Sequence, residues 1–153
     1  MTEAVETLIA PFLEKDGGLL RALHALQASE GYIDAAHIPV VAGAFNLSKA
    51  EVKGVISFYA DFRRAPAGRY HVKICQAESC QAVGSRRLTE KALTALGIKL
   101  GDTTVSGAVT VDAVYCLGLC AAGPAAMIDG TLRARLDADG FAAEIQALAE
   151  EGA

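Results

Sequence analysis

Apolar positions recur at helical spacing through the first sixty-odd residues and at strand spacing beyond them. Thr2 to Leu13 reads as a short helix that Asp16-Gly17-Gly18 ends. Leu19, Leu20, Leu23 and Leu26 follow near a period of 3.6, and Gly31-Tyr32 closes this second helix. Asp34 is placed to N-cap a third helix with Ile38, Val41 and Phe45 on one face. Ser48-Lys-Ala-Glu51 has the form of a capping box, and Val52, Val55, Ile56 and Tyr59 follow at i, i+3, i+4 and i+7. Pro66 and Gly68 break the pattern. The expected division is a helical segment over 1–65 and a second domain over 66–153.

Beyond the break, Tyr70-His-Val-Lys-Ile74 and Val109-Thr-Val-Asp-Ala-Val-Tyr115 are short β-branched runs of the kind that form strands. Between them Ser85 to Leu96 places Leu88, Ala92, Leu93 and Leu96 on one helical face, and Gly97 stops it. Thr103 to Gly107 reads equally as a short strand or a loop. Asp129-Gly130, between Ala125-Ala-Met-Ile128 and Thr131-Leu-Arg-Ala-Arg135, is a hairpin signal. A last helix over Ala138 to Glu150 carries Phe141, Ile145 and Leu148 on one face. The expected fold class is α+β: an N-terminal helical bundle, then an α/β domain built on a small mixed sheet. The strand–helix–strand connection should cross over right-handed. Pro124 is placed to fix a turn, with the trans form expected from the general rarity of cis X–Pro bonds.

Charge narrows the function classes. The net charge is −4 and the pI about 5.3, which gives no electrostatic case for nucleic acid or an anionic membrane. The acidic start Met1-Thr-Glu-Ala-Val-Glu6 has no basic region and no long apolar core. The apolar runs fall short of the ~20 residues of a bilayer helix. A cytoplasmic protein is expected. In that reducing setting, close cysteine pairs point to metal or redox chemistry rather than a disulfide.

The four cysteines form two such pairs, each directly after a predicted strand: Cys75-x4-Cys80, 35 residues, then Cys116-x3-Cys120. The two loops should leave the same side of the sheet, where α/β folds gather ligands. Three readings compete. A [2Fe–2S] cluster needs four thiolates, two per iron. A structural zinc takes four thiolates in a tetrahedron, usually from tighter knuckle spacings. Inert thiols or a disulfide suit the spacing and compartment least. The loop residues Leu117, Gly118, Leu119, Ala121, Ala122 and Gly123 favour the cluster. Small residues let backbone N–H groups reach sulfur, and a dry apolar shell tunes its potential.

No histidine lies within either pair, so a Rieske site is not indicated; His71 is expected on the sheet, and His24 and His37 on solvated helix faces. There is no Gly-x-Gly-x-x-Gly, no phosphate loop and no nucleophile–base grouping. The pattern is that of an electron carrier, not catalytic alone.

The cysteine pattern, set in Ile74-Cys-Gln-Ala-Glu-Ser-Cys-Gln-Ala82 and Val114-Tyr-Cys-Leu-Gly-Leu-Cys-Ala121, resembles the thioredoxin-like [2Fe–2S] subunit family. Gly31-Tyr-Ile33, Leu47-Ser-Lys-Ala-Glu-Val-Lys-Gly-Val55 and Ser57-Phe-Tyr-Ala-Asp-Phe62 resemble its helical segment. The resemblance covers nearly the whole chain. It implies a thioredoxin-like ferredoxin domain, with Cys75, Cys80, Cys116 and Cys120 as cluster ligands. It also implies a larger flavoprotein partner with FMN, an NAD(H) site and a [4Fe–4S] cluster. Within the family, Glu78-Ser-Cys-Gln-Ala82 and Phe62-Arg-Arg-Ala-Pro-Ala-Gly68 look most like the gamma subunit of molybdenum-containing, NAD-dependent formate dehydrogenases. That host would add a molybdenum-containing catalytic subunit. The alternatives are the corresponding subunits of complex I or an NAD-reducing hydrogenase.

A rival of another class is a zinc-stapled interaction or DNA-binding regulatory domain, with residues 47–57 posing as a helix-turn-helix. That segment offers only Lys49 and Lys53 around Glu51, and residues 1–65 carry eight acidic against six basic side chains. A groove-reading helix needs the opposite balance. Phe58, Tyr59 and Phe62 read either as partner contacts or as the bundle's own core.

Overall fold

The computed structural model describes residues 2–151, and the chain divides between Pro66 and Ala67 into two compact units. The first unit is all helical. Helix α1 (Thr2–Ile9) runs into a 3₁₀ turn at Ala10–Phe12; α2 (Gly18–Glu30), α3 (Ile38–Ala44) and α4 (Lys49–Phe58) follow. Gly31 ends α2 in the left-handed conformation, φ 80°, and its N–H donates to the Gln27 carbonyl. The capping box forms as expected: Glu51 N–H donates to Ser48 Oγ at 3.2 Å, and Ser48 N–H donates to Glu51 Oε2 at 2.8 Å. The core joins Val5, Ile9, Leu23, Leu26, Val41, Val52 and Ile56.

Two side chains in this unit depart from their sequence readings. Asp34 caps a single 3₁₀ turn over Ala35–His37 before α3 begins. That tighter turn changes the register and carries His37 inward, where it is 6% exposed rather than solvated. Its Nδ1 sits 3.5 Å from the Glu30 carboxylate without a hydrogen bond. His24 is exposed as expected, its ring 4.9 Å from that of Phe62. The aromatic trio splits: Phe62 is buried, while Phe58 is 79% and Tyr59 43% exposed.

The second unit is a four-stranded mixed sheet in the order β2-β1-β3-β4. Strand β1 (Tyr70–Cys75) runs parallel to β2 (Val109–Val114) and antiparallel to β3 (Ala126–Ile128), which pairs with β4 (Thr131–Arg133). The β3–β4 turn is Asp129-Gly130, with φ of 47° and 81°, the two positive values a type I′ hairpin demands. Residues 103–107 form a loop with one isolated bridge, Thr103 to Thr110. The short α5 (Glu78–Ala82) precedes α6 (Ser85–Leu96), and α7 (Ala138–Glu151) ends the chain's described part. Leu88, Ala92, Phe141 and Ile145 from α6 and α7 pack on Val72, Ile74, Val109 and Val111. This layering is the α+β class expected. The Gly123–Pro124 bond is cis, contrary to the trans expectation from frequency alone. Among the described residues no helix is long and apolar enough to cross a membrane.

Candidate metal centre

Parallel pairing decides where the cysteines go. Cys75, the last residue of β1, is in register with Val114, the last of β2, so both chains leave the sheet at the same end. Gln76 N–H donates to the Val114 carbonyl at 2.8 Å, and Cys75 N–H to the Ala125 carbonyl at 3.0 Å. The Ser85 hydroxyl at the start of α6 donates to the Cys75 carbonyl. Gln81 Nε2 reaches Gln76 Oε1 at 2.8 Å, and Gln76 Nε2 reaches Thr89 Oγ1 at 2.9 Å. This polar chain ties the first cysteine loop to α6.

All four cysteines are free thiols. Cys75 and Cys80 are each 2% exposed and pack with Ala125, Ala77, Val114, Leu117 and Leu119; Cys116 and Cys120 are exposed. Cys80 comes from α5 and Cys120 opens a 3₁₀ turn over Cys120–Ala122. The Cys116 and Cys120 sulfurs stand 3.6 Å apart. Two thiolates on one tetrahedral metal with bonds of about 2.3 Å lie about 3.8 Å apart, so this pair fits one metal ion with little movement. Among the described residues no three His, Cys, Asp or Glu side chains form a ready single-ion cage. The sulfurs meet as two pairs.

Their protonation is interdependent. Burial pushes the Cys75 thiol up, but N–H donors at Ala77, Cys116 and Leu117 and the Cys80 thiol outweigh it, leaving Cys75 below its ordinary value. Burial and then the Cys75 neighbour push Cys80 up, against the Ala125 N–H. Cys120 is raised chiefly by its hydrogen bond and charge interaction with Cys116, with a smaller push from Cys75. The pairs therefore feel each other, and Cys75 is readier to be a thiolate than Cys80 or Cys120.

The small residues of the second loop have specific uses. Gly118, with φ 77°, brings its N–H to Cys116 Sγ at 3.4 Å. Gly123 lets the backbone pack closely on Cys80, whose sulfur would lie 3.3 Å from a β-carbon at that position. Cys116 itself adopts φ 83°, a left-handed conformation that sequence reasoning did not mark. Loop geometry alone demands it. His71 lies on the sheet as expected, Nε2 2.7 Å from Asp112 Oδ2 across β1 and β2.

The chain is similar to known proteins over most of its length. The family model described as thioredoxin-like [2Fe–2S] ferredoxin matches residues 5–149. An NADH-quinone oxidoreductase subunit of Rhizobium meliloti (strain 1021) is 31% identical over 138 residues, covering 90% of this chain and 82% of that protein. The NADP-reducing hydrogenase subunit HndA of Solidesulfovibrio fructosivorans is 32% identical over 115 residues, 75% of this chain and 67% of that one. An NAD+-reducing [NiFe]-hydrogenase in the air-oxidized state superposes with a TM-score of 0.71 at 30% identity, over 88% of this chain. The chain spans 23% of the length of that hydrogenase chain. By cysteine geometry, fold and family match together, the chain belongs to the thioredoxin-like [2Fe–2S] ferredoxin family.

Proposed function

We propose that this chain holds one [2Fe–2S] cluster on Cys75, Cys80, Cys116 and Cys120 and is the electron-transfer subunit of an NADH-linked oxidoreductase complex. The observation that carries the reading is the convergence of two cysteine loops at one end of a parallel strand pair, with the Cys116 and Cys120 sulfurs 3.6 Å apart. Two cysteine pairs, Cys75-x4-Cys80 and Cys116-x3-Cys120, supply the two thiolates per iron that a dinuclear cluster needs. When bound, such a cluster supplies a one-electron store.

The chain's own residues do the rest. Cys75 and Cys80 grip from the buried side, and Cys116 and Cys120 from the exposed side. N–H groups of Ala77, Leu117 and Gly118 aim at sulfur and favour the anionic thiolates, while Leu117, Leu119 and Ala125 exclude water. The exposed Cys116–Cys120 edge is the side from which a neighbouring redox centre exchanges electrons. Hydride chemistry belongs to a partner, a larger flavoprotein with FMN, an NAD(H) site and a [4Fe–4S] cluster. We take residues 1–65 as a separate helical domain and 66–153 as the electron-transfer domain, with no role for nucleic acid and a cytoplasmic setting.

The relatives support complex I or an NAD(P)-reducing hydrogenase as host. The formate dehydrogenase gamma subunit, with its molybdenum partner, rests on Glu78–Ala82 and the residue 62–68 linker and has no support among those relatives. The test is anaerobic purification of the tagged chain with its partners, followed by NADH, hydrogen and formate as electron donors to an artificial acceptor. NADH activity with a co-purified flavoprotein is expected. Formate activity would move the host to formate dehydrogenase, and a zinc-bound chain recovered alone would overturn the reading.

A further inference from the structure

The helical unit holds a cavity that the cluster reading does not use. About 390 Å³ opens beside α4, a volume within the range of ligand pockets. Ile33, Ile38 and Ile56, all buried, line it; Lys53 and Arg64 stand at it, and no carboxylate does. In a chain of net charge −4 this is a locally cationic, apolar opening.

Gly54 helps keep it open. It lies inside α4, where glycine weakens a helix relative to alanine. A β-carbon built there meets nothing within 4 Å, so no packing inside the chain calls for glycine. One turn on, Phe58 shares that face and is 79% exposed. Phe58 does not line the cavity, but it extends the apolar surface that α4 offers one turn beyond it.

We propose that this cavity docks an acidic, aliphatic segment of the flavoprotein partner, with an aliphatic side chain on the three isoleucines and a carboxylate held by Lys53 and Arg64. The inference rests on the reading of the chain as a complex subunit. Arginine grips a carboxylate with two parallel N–H donors, and lysine adds a point charge. Phe58, one turn along α4, supplies a further apolar contact.

The experiment uses the tagged chain purified with its complex. Gly54→Leu fills the cavity with a good helix former, Lys53→Glu with Arg64→Glu reverses its charge, and Gly54→Ala adds one methyl where there is room. A benzophenone amino acid in place of Ser57, which lines the cavity, reports what lies against it. The filling and charge-reversed variants are expected to lower the flavoprotein recovered per chain roughly tenfold with iron and sulfide unchanged, and Gly54→Ala to behave as wild type. The photoprobe is expected to mark a flavoprotein peptide with Asp or Glu beside an aliphatic residue. Wild-type flavoprotein recovery in both variants, or a photoprobe that marks another subunit, a small molecule or nothing, would overturn the docking pocket alone. A wild-type chain with its cluster but no flavoprotein would overturn the host reading and the pocket with it.

Discussion

Gly123 packs so closely on Cys80 that a β-carbon at residue 123 would lie 3.3 Å from the Cys80 sulfur and 2.9 Å from Val83 Cγ2. Val83 is half exposed and can turn away; the buried sulfur can move only by leaving the place proposed for it as a ligand. Gly123→Ala should therefore keep its cluster with a shifted EPR line shape. Gly123→Val, with two more methyl groups at the same point, should lose most of its iron and sulfide. Iron, sulfide and EPR on both variants check this, and a full, unshifted cluster in Gly123→Val would contradict it.

Cys116 separates a ligand's chemistry from its backbone. Its φ of 83° is a conformation that costs a non-glycine residue about 1–2 kcal/mol. Cys116→Ser removes the thiolate and keeps the strain, whereas Cys116→Gly removes both. Both should lose the visible spectrum of the cluster, with the helical unit's far-UV signal retained. Compared without metal, Cys116→Gly should melt higher than Cys116→Ser, by roughly 1 kcal/mol of stability. Full colour in either variant would argue against Cys116 as a ligand.

The Ser48–Glu51 cap predicts a pH dependence. Hydrogen bonds from the Ser48 N–H and then from its hydroxyl hold the Glu51 carboxyl below its ordinary value. A carboxylate depressed in the folded state stabilises above its unfolded pKa, and that contribution is lost as the pH falls through the folded one. Glu51→Gln should thus shallow the acid limb of the stability curve below about pH 4.5 and leave its neutral slope unchanged. Ser48→Ala should cost about 1 kcal/mol at neutral pH. Denaturant melts from pH 3 to pH 7 measure both.

Ser85 couples α6 to the first ligand loop. Its fully buried hydroxyl donates to the Cys75 carbonyl. Ser85→Ala removes that donor from a buried acceptor, at a cost of about 1–3 kcal/mol. Because the carbonyl belongs to a proposed ligand residue, cluster loss on warming should also be faster than in wild type. A variant with wild-type stability and wild-type cluster lifetime would show the contact to be idle.

Much of the fold was legible because its signals are local. The capping box needs only Ser48 and Glu51, the hairpin only Asp129 and Gly130, and α6 only its apolar stripe and Gly97. The convergence of the two cysteine loops was legible because each pair follows a strand, and parallel strands deliver their ends together. What escaped depends on contacts between elements or on loop closure. His37 has a polar side chain that a 3₁₀ turn rotates inward. Phe58 and Phe62 are the same residue type four positions apart, yet only tertiary packing distinguishes the exposed ring from the buried one. The cis form of Gly123–Pro124 and the left-handed Cys116 have no local sequence signature. The host complex was the least legible, since only Glu78–Ala82 and residues 62–68 read as a formate dehydrogenase gamma subunit, and the relatives support other hosts.

The most direct measurement is iron and acid-labile sulfide per chain on anaerobically purified protein, with EPR of the dithionite-reduced sample. The account predicts about two irons and two sulfides and an S = 1/2 signal on reduction. Stoichiometric zinc, without sulfide or colour, would contradict it.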